Sequence, residues 1–270
     1  MSEAKAIGMV SQPGTRQSVA TDLRRLGIER GMVLLVHSSL SKMGWVNGGP
    51  VAVIQALMDV LTEDGTLVMP AHSSDYSDPA KWQNPPIPQS WQETVRETMP
   101  LYNPRTTPTR AMGAIPELFR TWPGVERSLH PQMSFAAWGR KAGVVTDGHT
   151  LEYSLGENSP LARVYDLDGS ILLLGVGYDS NTSFHLAEYR APDPPLTRVG
   201  VPWSEAGRRI WKEFEDIEFD DDPFSEVGQA FEGTGSVKIG RVAAAECRLM
   251  SHRSVVDFAQ TWIGKSRANQ

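Results

Sequence analysis

The chain has 270 residues, of which 40% are hydrophobic and 21% charged, and its formal net charge is −6. This composition is typical of a soluble globular protein with a sizeable core, and the negative charge argues against a nucleic-acid binder, which needs a basic face. No stretch reaches the roughly 20 apolar residues of a membrane span, and the first residues lack a signal peptide's apolar core, so we expect a cytoplasmic protein without a membrane partner.

Alternating helices and strands are predicted in the first quarter of the chain. Thr15 suits the N-cap of a helix that Gly27 would end, and Pro50 suits the first turn of a second, almost wholly apolar helix. Two short apolar runs predict buried strands. In order, the predicted elements are a helix over 16–26, a strand over 32–36, a helix over 51–61 and a strand over 66–69. Because a strand, a helix and a strand follow one another, we predict a βαβ unit and a mainly parallel sheet.

The periodic pattern is lost over 72–108, a stretch rich in proline and polar residues that predicts a long and functional loop. The elements predicted beyond it are a helix over 113–122, a strand over 170–176, a helix containing His185, a strand over 237–242 and a helical segment over 243–262. No internal repeat or linker is apparent. We therefore predict a single α/β domain over 1–270, which could include a small excursion at 195–235.

Several common enzyme motifs are missing from the sequence. Gly175-Val176-Gly177 lacks the third glycine of a dinucleotide fingerprint, and neither a nucleotide phosphate loop nor a serine nucleophile elbow occurs. The six histidines form no zinc-binding pair of the usual spacing, and the single cysteine, Cys247, excludes an internal disulfide. Because Cys247 lies in an apolar pattern that reads as helical, we predict a buried structural thiol.

His185 is the strongest candidate for chemistry. It lies in the first turn of a predicted helix that follows a buried strand, and ligand sites in such sheets collect at strand carboxyl ends. An imidazole, with an ordinary pKa near ~6.5, can accept a proton near neutral pH. Glu188 is three residues away and therefore on the same helical face, which also fits a merely structural pair.

Two further segments suit a ligand site. Ser38-Ser39-Leu40 follows a strand end, where hydroxyl and backbone N–H groups could bind carbonyl or phosphate oxygens or could simply form a turn. Nine carboxylates and no Lys or Arg lie between Glu213 and Glu232, which suits a cationic partner but also a solvated, mobile loop. Phe219 and Phe224 flank the three aspartates of this stretch and favour an anchored segment.

Seven motifs occur along the chain in a recognisable order. They are Val36-His37-Ser38-Ser39-Leu40, Asp64-Gly65-Thr66-Leu67-Val68-Met69-Pro70, Thr109-Arg110-Ala111-Met112-Gly113, Arg127-Ser128-Leu129-His130-Pro131, Asn158-Ser159-Pro160-Leu161-Ala162-Arg163, Leu172-Leu173-Leu174-Gly175-Val176-Gly177, and Asn181-Thr182-Ser183-Phe184-His185-Leu186-Ala187-Glu188. Together they resemble the aminoglycoside 3-N-acetyltransferase (antibiotic N-acetyltransferase) family over most of residues 30–265. No single motif is diagnostic, but this many in this order are hard to explain by chance.

The resemblance implies transfer of an acetyl group from acetyl-coenzyme A to the 3-amino group of an aminoglycoside antibiotic, without a metal. It implies a mixed, largely parallel central sheet flanked by helices, a fold distinct from the common acetyltransferase fold. The family's essential imidazole falls on His185, and its polarising carboxylates fall on Asp220 and Asp222, with Asp221 as an alternative alignment. Glu188 also matches, either as a brace of the helix or as part of the chemistry.

The resemblance also implies the ligand contacts. The coenzyme's pantetheine arm is expected along Ser38, Ser39 and Leu40, near Thr109, Arg110, Met112 and Gly113, with Arg110 facing a phosphate. The candidate acids for a polycationic acceptor are Asp75, Asp78, Glu157 and the acidic stretch.

The expected mechanism is general-base catalysis. His185 would deprotonate the attacking amine, and Asp220 or Asp222, bonded to its other ring nitrogen, would fix the tautomer. Three other readings stay open: an N-acyltransferase for a different amine, a non-catalytic binding protein on the same fold, and a metal-dependent hydrolase. A monomer and a homodimer are both compatible with the sequence.

Overall fold

A computed structural model describes residues 2–268. The strands are β1 (Val33–Ser38), β2 (Thr66–Pro70), β3 (Glu126–Arg127), β4 (Phe135–Gly139), β5 (Ser170–Leu174), β6 (Leu196–Glu205), β7 (Arg208–Ile217), β8 (Lys238–Val242) and β9 (Ala245–Ser251). The α-helices are α1 (Glu3–Gly8), α2 (Arg16–Leu26), α3 (Gly49–Leu61), α4 (Gln92–Thr98), α5 (Ala114–Phe119), α6 (Ala142–Thr146), α7 (Pro160–Asp166), α8 (Ser183–Arg190), α9 (Phe224–Glu232) and α10 (His252–Ala268). None of these helices combines the length and the apolar character that crossing a bilayer requires.

The central sheet has seven strands in the order β3-β4-β2-β1-β5-β9-β8. Its middle strands β2, β1 and β5 are parallel, and the outer pairings are antiparallel. The predicted βαβ unit is therefore confirmed as β1–α3–β2. The predicted class is confirmed as well, since this is an α/β fold with a mixed central sheet flanked by helices.

Alternation along the central strands divides the core into two layers. Leu34 and Val36 of β1 pack with α2, α3 and α5, whereas Leu35, which lies between them, packs on the other face with α6 to α10. All three side chains are fully buried. Because both faces of a central strand are covered, these strands are continuous apolar runs, and this is why the sequence predicted them well.

The prediction of a helix over 243–262 is wrong in its first part. Residues Ala245–Ser251 form β9, which pairs antiparallel with β5 and β8, and the helix α10 begins only at His252. Ala243, with φ of 51°, makes the tight turn between β8 and β9. Cys247 consequently lies in a strand, but it is buried as predicted, and burial raises the pKa of its thiol to about 11.

The strands β6 and β7 form a separate two-stranded hairpin. The long loop over 72–108, which contains α4, packs against it, because the Arg209 guanidinium donates to the carbonyl oxygens of Arg96 and Met99. The acidic stretch begins in β7, passes through a turn at Asp220 to Asp222 and ends in α9. It is therefore regular structure over most of its length, contrary to the mobile-loop reading.

Candidate active site

A cleft of about 980 Å³ opens at the carboxyl ends of the central parallel strands. Its walls include His37 and Ser38 from β1, Pro70 from β2, Val176 just after β5, and the first turn of α8. Ligands of open α/β sheets bind outside the carboxyl ends of the strands, so this is the expected place for a site. Its volume is at the upper end of the range for small-molecule sites.

The His185 imidazole lines this cleft from the first turn of α8. Its Nδ1 lies 2.6 Å from Oε2 of Glu188, and the two side chains are only 14% and 3% exposed. An ionised carboxylate can only accept a hydrogen bond, so Nδ1 carries the hydrogen and Nε2 is the unprotonated nitrogen. The ring is therefore held in the tautomer that a general base requires.

The predicted partnership of His185 with Asp220 or Asp222 needs correction. Glu188 binds the ring, and it also accepts a hydrogen bond through Oε1 from the backbone N–H of Asp220, at 3.0 Å. The Asp220 side chain instead accepts from the backbone N–H of Asp222, at 3.2 Å. Glu188 binds the ring nitrogen because it lies one helical turn away, whereas Asp220 contacts Glu188 only through its backbone N–H. Asp221 lines the cleft but does not bind the ring.

Two phenylalanines hold the imidazole on its other sides. The ring centroids of Phe219 and Phe224 lie 4.6 and 4.9 Å from that of His185. Phe224 is 1% exposed and also packs against Phe184 of α8. The base is therefore fixed by one hydrogen bond and two aromatic contacts, and it has little freedom to turn away from the cleft.

Two other histidines lie close to this site. Burial, followed by the charge on nearby His185, lowers the pKa of His37 to about 3. Burial also lowers the pKa of His72 to about 3, and its Nε2 has no hydrogen-bond partner among residues 2–268. Both imidazoles are therefore neutral near pH 7, and neither adds a positive charge beside His185.

Five of the seven residues predicted to contact the coenzyme line the cleft. These are Ser38, Ser39, Leu40, Met112 and Gly113. Thr109 does not, because its backbone N–H and hydroxyl both donate to Oε2 of Glu117 at 2.7 Å. Arg110 is exposed beside the cleft without lining it, and its backbone N–H donates to the carbonyl oxygen of His72. Thr109 and Arg110 thus lie outside the lining of the cleft, and their place near the coenzyme stays a prediction.

The cleft has features that fit an elongated, phosphate-bearing ligand. Ser38 Oγ is buried without a partner among the described residues. The helix α3 starts at Gly49 with no side-chain cap. The N–H groups of Gly49 and Ala52 donate to the carbonyl oxygens of Val46 and Gly48, and Pro50 has no N–H. The first turn therefore leaves the backbone N–H of Val51, which has no partner among the described residues, for an anion. Gly48 and Gly49 have φ of 85° and 53°, a conformation that strains other residues.

The acids expected to bind a cationic acceptor are also corrected. The Asp78 carboxylate accepts from the Arg96 guanidinium at 2.6 Å, and Glu157 accepts from Arg190 at 2.7 Å, so both are engaged in ion pairs. Asp75 is exposed and does not line the cleft. The acids that do line it are Glu3, Asp179 and Asp221, and none of its lining residues between 2 and 268 is Lys or Arg. The cleft is therefore electronegative through Asp221, which belongs to the predicted acidic stretch, and through Glu3 and Asp179, which were not predicted.

The sequence reasoning missed several residues of this cleft. Thr182 and His37 both line the cleft and are adjacent, with 3.5 Å between Thr182 Oγ1 and His37 Nε2. Glu3 of α1 also reaches it, and its carboxylate accepts from the indole N–H of Trp45 at 3.0 Å. Spacing could have indicated Thr182, which stands three residues before His185. Nothing local could have indicated Glu3.

Comparison with known proteins identifies related sequences along nearly the whole chain. The sequence matches the aminoglycoside 3-N-acetyltransferase family model over residues 35–264. The SPbeta prophage-derived aminoglycoside N(3')-acetyltransferase-like protein YokD of Bacillus subtilis (strain 168) is 51% identical over 260 residues, 96% of this chain and 96% of that protein. Aminoglycoside N(3)-acetyltransferase VIII of Streptomyces fradiae is 35% identical over 280 aligned residues, 97% of this chain and 96% of that protein.

A solved structure with a bound ligand is also similar. The structure of AAC-IIIb in a binary complex with CoASH superposes with a TM-score of 0.83 at 31% sequence identity, and the match covers 94% of this chain and 98% of that chain.

Proposed function

Because the chain belongs to the aminoglycoside 3-N-acetyltransferase family and is therefore an acyltransferase, we propose that it transfers the acetyl group of acetyl-coenzyme A to the 3-amino group of an aminoglycoside. The observation that carries this proposal is the hydrogen-bonded pair of His185 and Glu188 at the wall of an electronegative cleft. The CoASH bound to the similar AAC-IIIb structure supports the identity of the acyl donor.

The acceptor attacks as the free amine, because a protonated amine is not a nucleophile, and the nitrogen must lose a further proton when it becomes an amide, which requires a base. Nε2 of His185 takes a proton from the acceptor's nitrogen as that nitrogen attacks the thioester carbonyl carbon. Proton transfer by a positioned side chain typically contributes about 10² to 10⁴-fold to the rate. The two phenylalanines and Glu188 position the imidazole beforehand, so the ring need not reorient during the reaction.

Glu188 orients the His185 imidazole and stabilises the positive charge that the imidazole gains. Its Oε2 fixes the Nδ1–H tautomer, and its negative charge offsets the positive charge that His185 gains after taking the proton. The second oxygen of Glu188 is held by the backbone N–H of Asp220. In this proposal Asp220 supports the carboxylate through its backbone N–H, Asp222 donates to the Asp220 side chain, and neither is a partner of the imidazole.

The residues that line the cleft suit two ligands of opposite charge. Ser38, Ser39, Leu40, Met112 and Gly113 would hold the coenzyme's arm, which delivers the thioester to His185. The carboxylates of Glu3, Asp179 and Asp221 favour a cationic acceptor over a neutral one. The predicted contacts of Asp75, Asp78 and Glu157 with the acceptor are not part of this proposal.

The decisive experiment measures release of free thiol from acetyl-coenzyme A with a panel of aminoglycosides and simple amines. His185→Ala is expected to lower kcat by at least 100-fold while coenzyme binding changes little, because the ring does not anchor the coenzyme. Added imidazole should recover part of the rate, since the substitution vacates a ring-sized space beside Glu188. Equal rates in parent and variant would reject His185 as the base.

The same panel tests the acceptor. Turnover with aminoglycosides such as gentamicin or kanamycin supports the proposal. Turnover only with unrelated amines retains the acyltransfer chemistry and replaces the acceptor, and absence of thiol release with every amine would favour a binding protein on this fold. Retention of activity in a chelator would remove a metal-dependent reaction.

A further inference from the structure

Thr182 lines the cleft together with the base, and its hydroxyl makes one long contact, with the His37 imidazole. It immediately precedes α8, and its carbonyl oxygen accepts from the backbone N–H of His185 at 3.1 Å, so both side chains face the cleft from one side of the helix. Threonine at this position usually caps the helix, but here its side chain makes no capping hydrogen bond. Asn181 accepts from the Ser183 backbone N–H instead, at 3.3 Å.

The first-turn N–H groups of α8 cannot serve a ligand, because each has a partner. The N–H of Ser183 is bound by the Asn181 side chain, that of Phe184 by the Asn181 carbonyl oxygen at 3.2 Å, and that of His185 by the Thr182 carbonyl oxygen. The usual donors at a helix start are therefore engaged. The Thr182 hydroxyl is a side-chain donor that lines the cleft from the same helix start as the imidazole.

His37 lies behind this hydroxyl and is suited to orient it. Its Nε2 is 3.5 Å from Thr182 Oγ1, and the residue is 4% exposed at the end of β1. Burial lowers the pKa of His37 to about 3, so its ring is uncharged near neutral pH, with one nitrogen that donates and one that accepts. The role inferred below requires the tautomer whose hydrogen is on Nε2. When Nε2–H donates to Oγ1, the threonine hydrogen is directed away from His37 and into the cleft.

We infer that Thr182 is a catalytic hydrogen-bond donor to the carbonyl oxygen of the acyl donor, and that His37 positions it. This inference rests on the acyl transfer proposed above. It extends that proposal with a group that stabilises negative charge, which general-base catalysis alone does not supply. The distance of 3.5 Å between His37 and Thr182 is at the limit of a hydrogen bond, which leaves room for Oγ1 to move as charge develops on the substrate.

The bond changes balance without any additional reagent. The amine nitrogen forms a bond to the carbonyl carbon, and the carbon–oxygen π pair moves onto the oxygen, which accepts a hydrogen bond from Thr182. His185 takes the proton that the nitrogen loses. The oxygen pair then reforms the carbonyl, the carbon–sulfur bond breaks with its electrons on sulfur, and the thiolate receives the proton from His185. Thr182 keeps its own proton throughout.

The test compares Thr182→Val, which keeps the shape of the side chain and removes the hydroxyl, with Thr182→Ser, which keeps the hydroxyl. Loss of one oxyanion donor typically lowers kcat by about 10² to 10³-fold, and we expect this for Thr182→Val with the KM for acetyl-coenzyme A changed less than threefold. The pH at which the rate is half-maximal should stay the same, because the base is intact. Thr182→Ser should recover the rate to within about tenfold of the parent.

A matched control is Thr261→Val, which makes the same change at an exposed position of α10, where the hydroxyl donates to the carbonyl oxygen of Asp257. Its kcat should equal that of the parent. A double-mutant cycle tests His37: His37→Leu should lower kcat about tenfold in the parent and not at all in Thr182→Val, because a positioning residue acts only through the hydroxyl.

Three results would overturn the inference: a parent-like kcat in Thr182→Val, equal losses in the Val and Ser variants, or a shift of the pH profile by Thr182→Val. If Thr182→Val fails to fold, Thr182→Ala against Thr182→Ser makes the same comparison with less steric change. A parent enzyme that releases no thiol with any amine would refute the proposed function itself, whereas an active parent with an equally active Thr182→Val refutes only the role of Thr182.

Discussion

Replacing Glu188 by Gln tests how the base is held, because it removes one acceptor and the charge while keeping the shape of the side chain. Glu188 accepts two hydrogen bonds, from Nδ1–H of His185 at 2.6 Å and from the backbone N–H of Asp220 at 3.0 Å. Two carboxylate oxygens satisfy both donors. A carboxamide has a single oxygen, so one of the two donors must face its NH₂ group.

Both orientations of the new amide impair the site. With the oxygen toward Asp220, the NH₂ group faces Nδ1, and His185 changes to the tautomer whose Nε2 carries a hydrogen and cannot accept a proton. The comparable loss of tautomer control in a serine-protease triad lowers kcat by about 10⁴-fold, and we expect a loss of about 10³ to 10⁴-fold here. With the oxygen toward His185, the part-buried N–H of Asp220 loses its acceptor, which costs about 1–3 kcal/mol of unfolding free energy.

The assay combines steady-state kinetics with denaturant unfolding. Glu188→Gln should lower kcat far more than it changes the KM for acetyl-coenzyme A, and its unfolding free energy should fall by no more than a few kcal/mol. Glu226→Gln makes the same chemical change at an exposed position of α9 and should leave both quantities unchanged. A Glu188→Gln enzyme with a kcat within tenfold of the parent would refute the assignment of Glu188 as the partner of the imidazole.

Three further predictions follow from the charges and the burial. Asp221→Asn should raise the KM of a cationic acceptor about threefold at low salt, and this effect should vanish at high salt because Asp221 is exposed; an unchanged KM would remove it from the acceptor's path. Arg110→Ala should raise the KM for acetyl-coenzyme A about fivefold, and an effect confined to the acceptor would contradict its place at the coenzyme's phosphates. His252 is fully buried with neither ring nitrogen bonded among the described residues, and burial lowers its pKa to about 3. Below pH 6.5 the unfolded state therefore binds a proton that the folded state does not, and the unfolding free energy decreases as the pH is lowered. His252→Phe should remove about 2 kcal/mol of the decrease between pH 7.5 and 5, measured by urea unfolding. Identical pH slopes in parent and variant would contradict this.

The first βαβ unit could be predicted from the sequence because its signals are local. β1 and β2 are apolar runs buried on both faces, and glycine and proline residues mark the ends of the helices between and before them. β9 could not be predicted in the same way. Its burial alternates from Ala245 to Leu249, but the strand and α10 are separated by no glycine or proline, and a short apolar run does not distinguish a strand from a helix.

The functional site likewise contains some contacts that the sequence could predict and others that depend on the tertiary fold. The spacing of His185 and Glu188 predicted one helical face, and the structure brings them together at that face. The sequence could not predict that Asp220 meets Glu188 through its backbone, because this depends on how the chain turns after β7. The contact of Thr182 with His37 spans 145 residues and exists only because β1 and β5 are parallel neighbours, whose carboxyl ends deliver both residues to one cleft.

The charge around the cleft imposes an arrangement on its two ligands. Its lining contains the carboxylates of Glu3, Asp179 and Asp221 and, within residues 2–268, neither Lys nor Arg, so an anionic coenzyme gains nothing from the side-chain charges inside. The favourable groups for its phosphates are the backbone N–H of Val51 in the first turn of α3 and the rim cation Arg110. This requires the phosphates to stay at the edge while the uncharged thioester extends inward to His185. In the proposed reaction a cationic acceptor is attracted to the same interior, so the charges of the cleft favour a different region for each substrate.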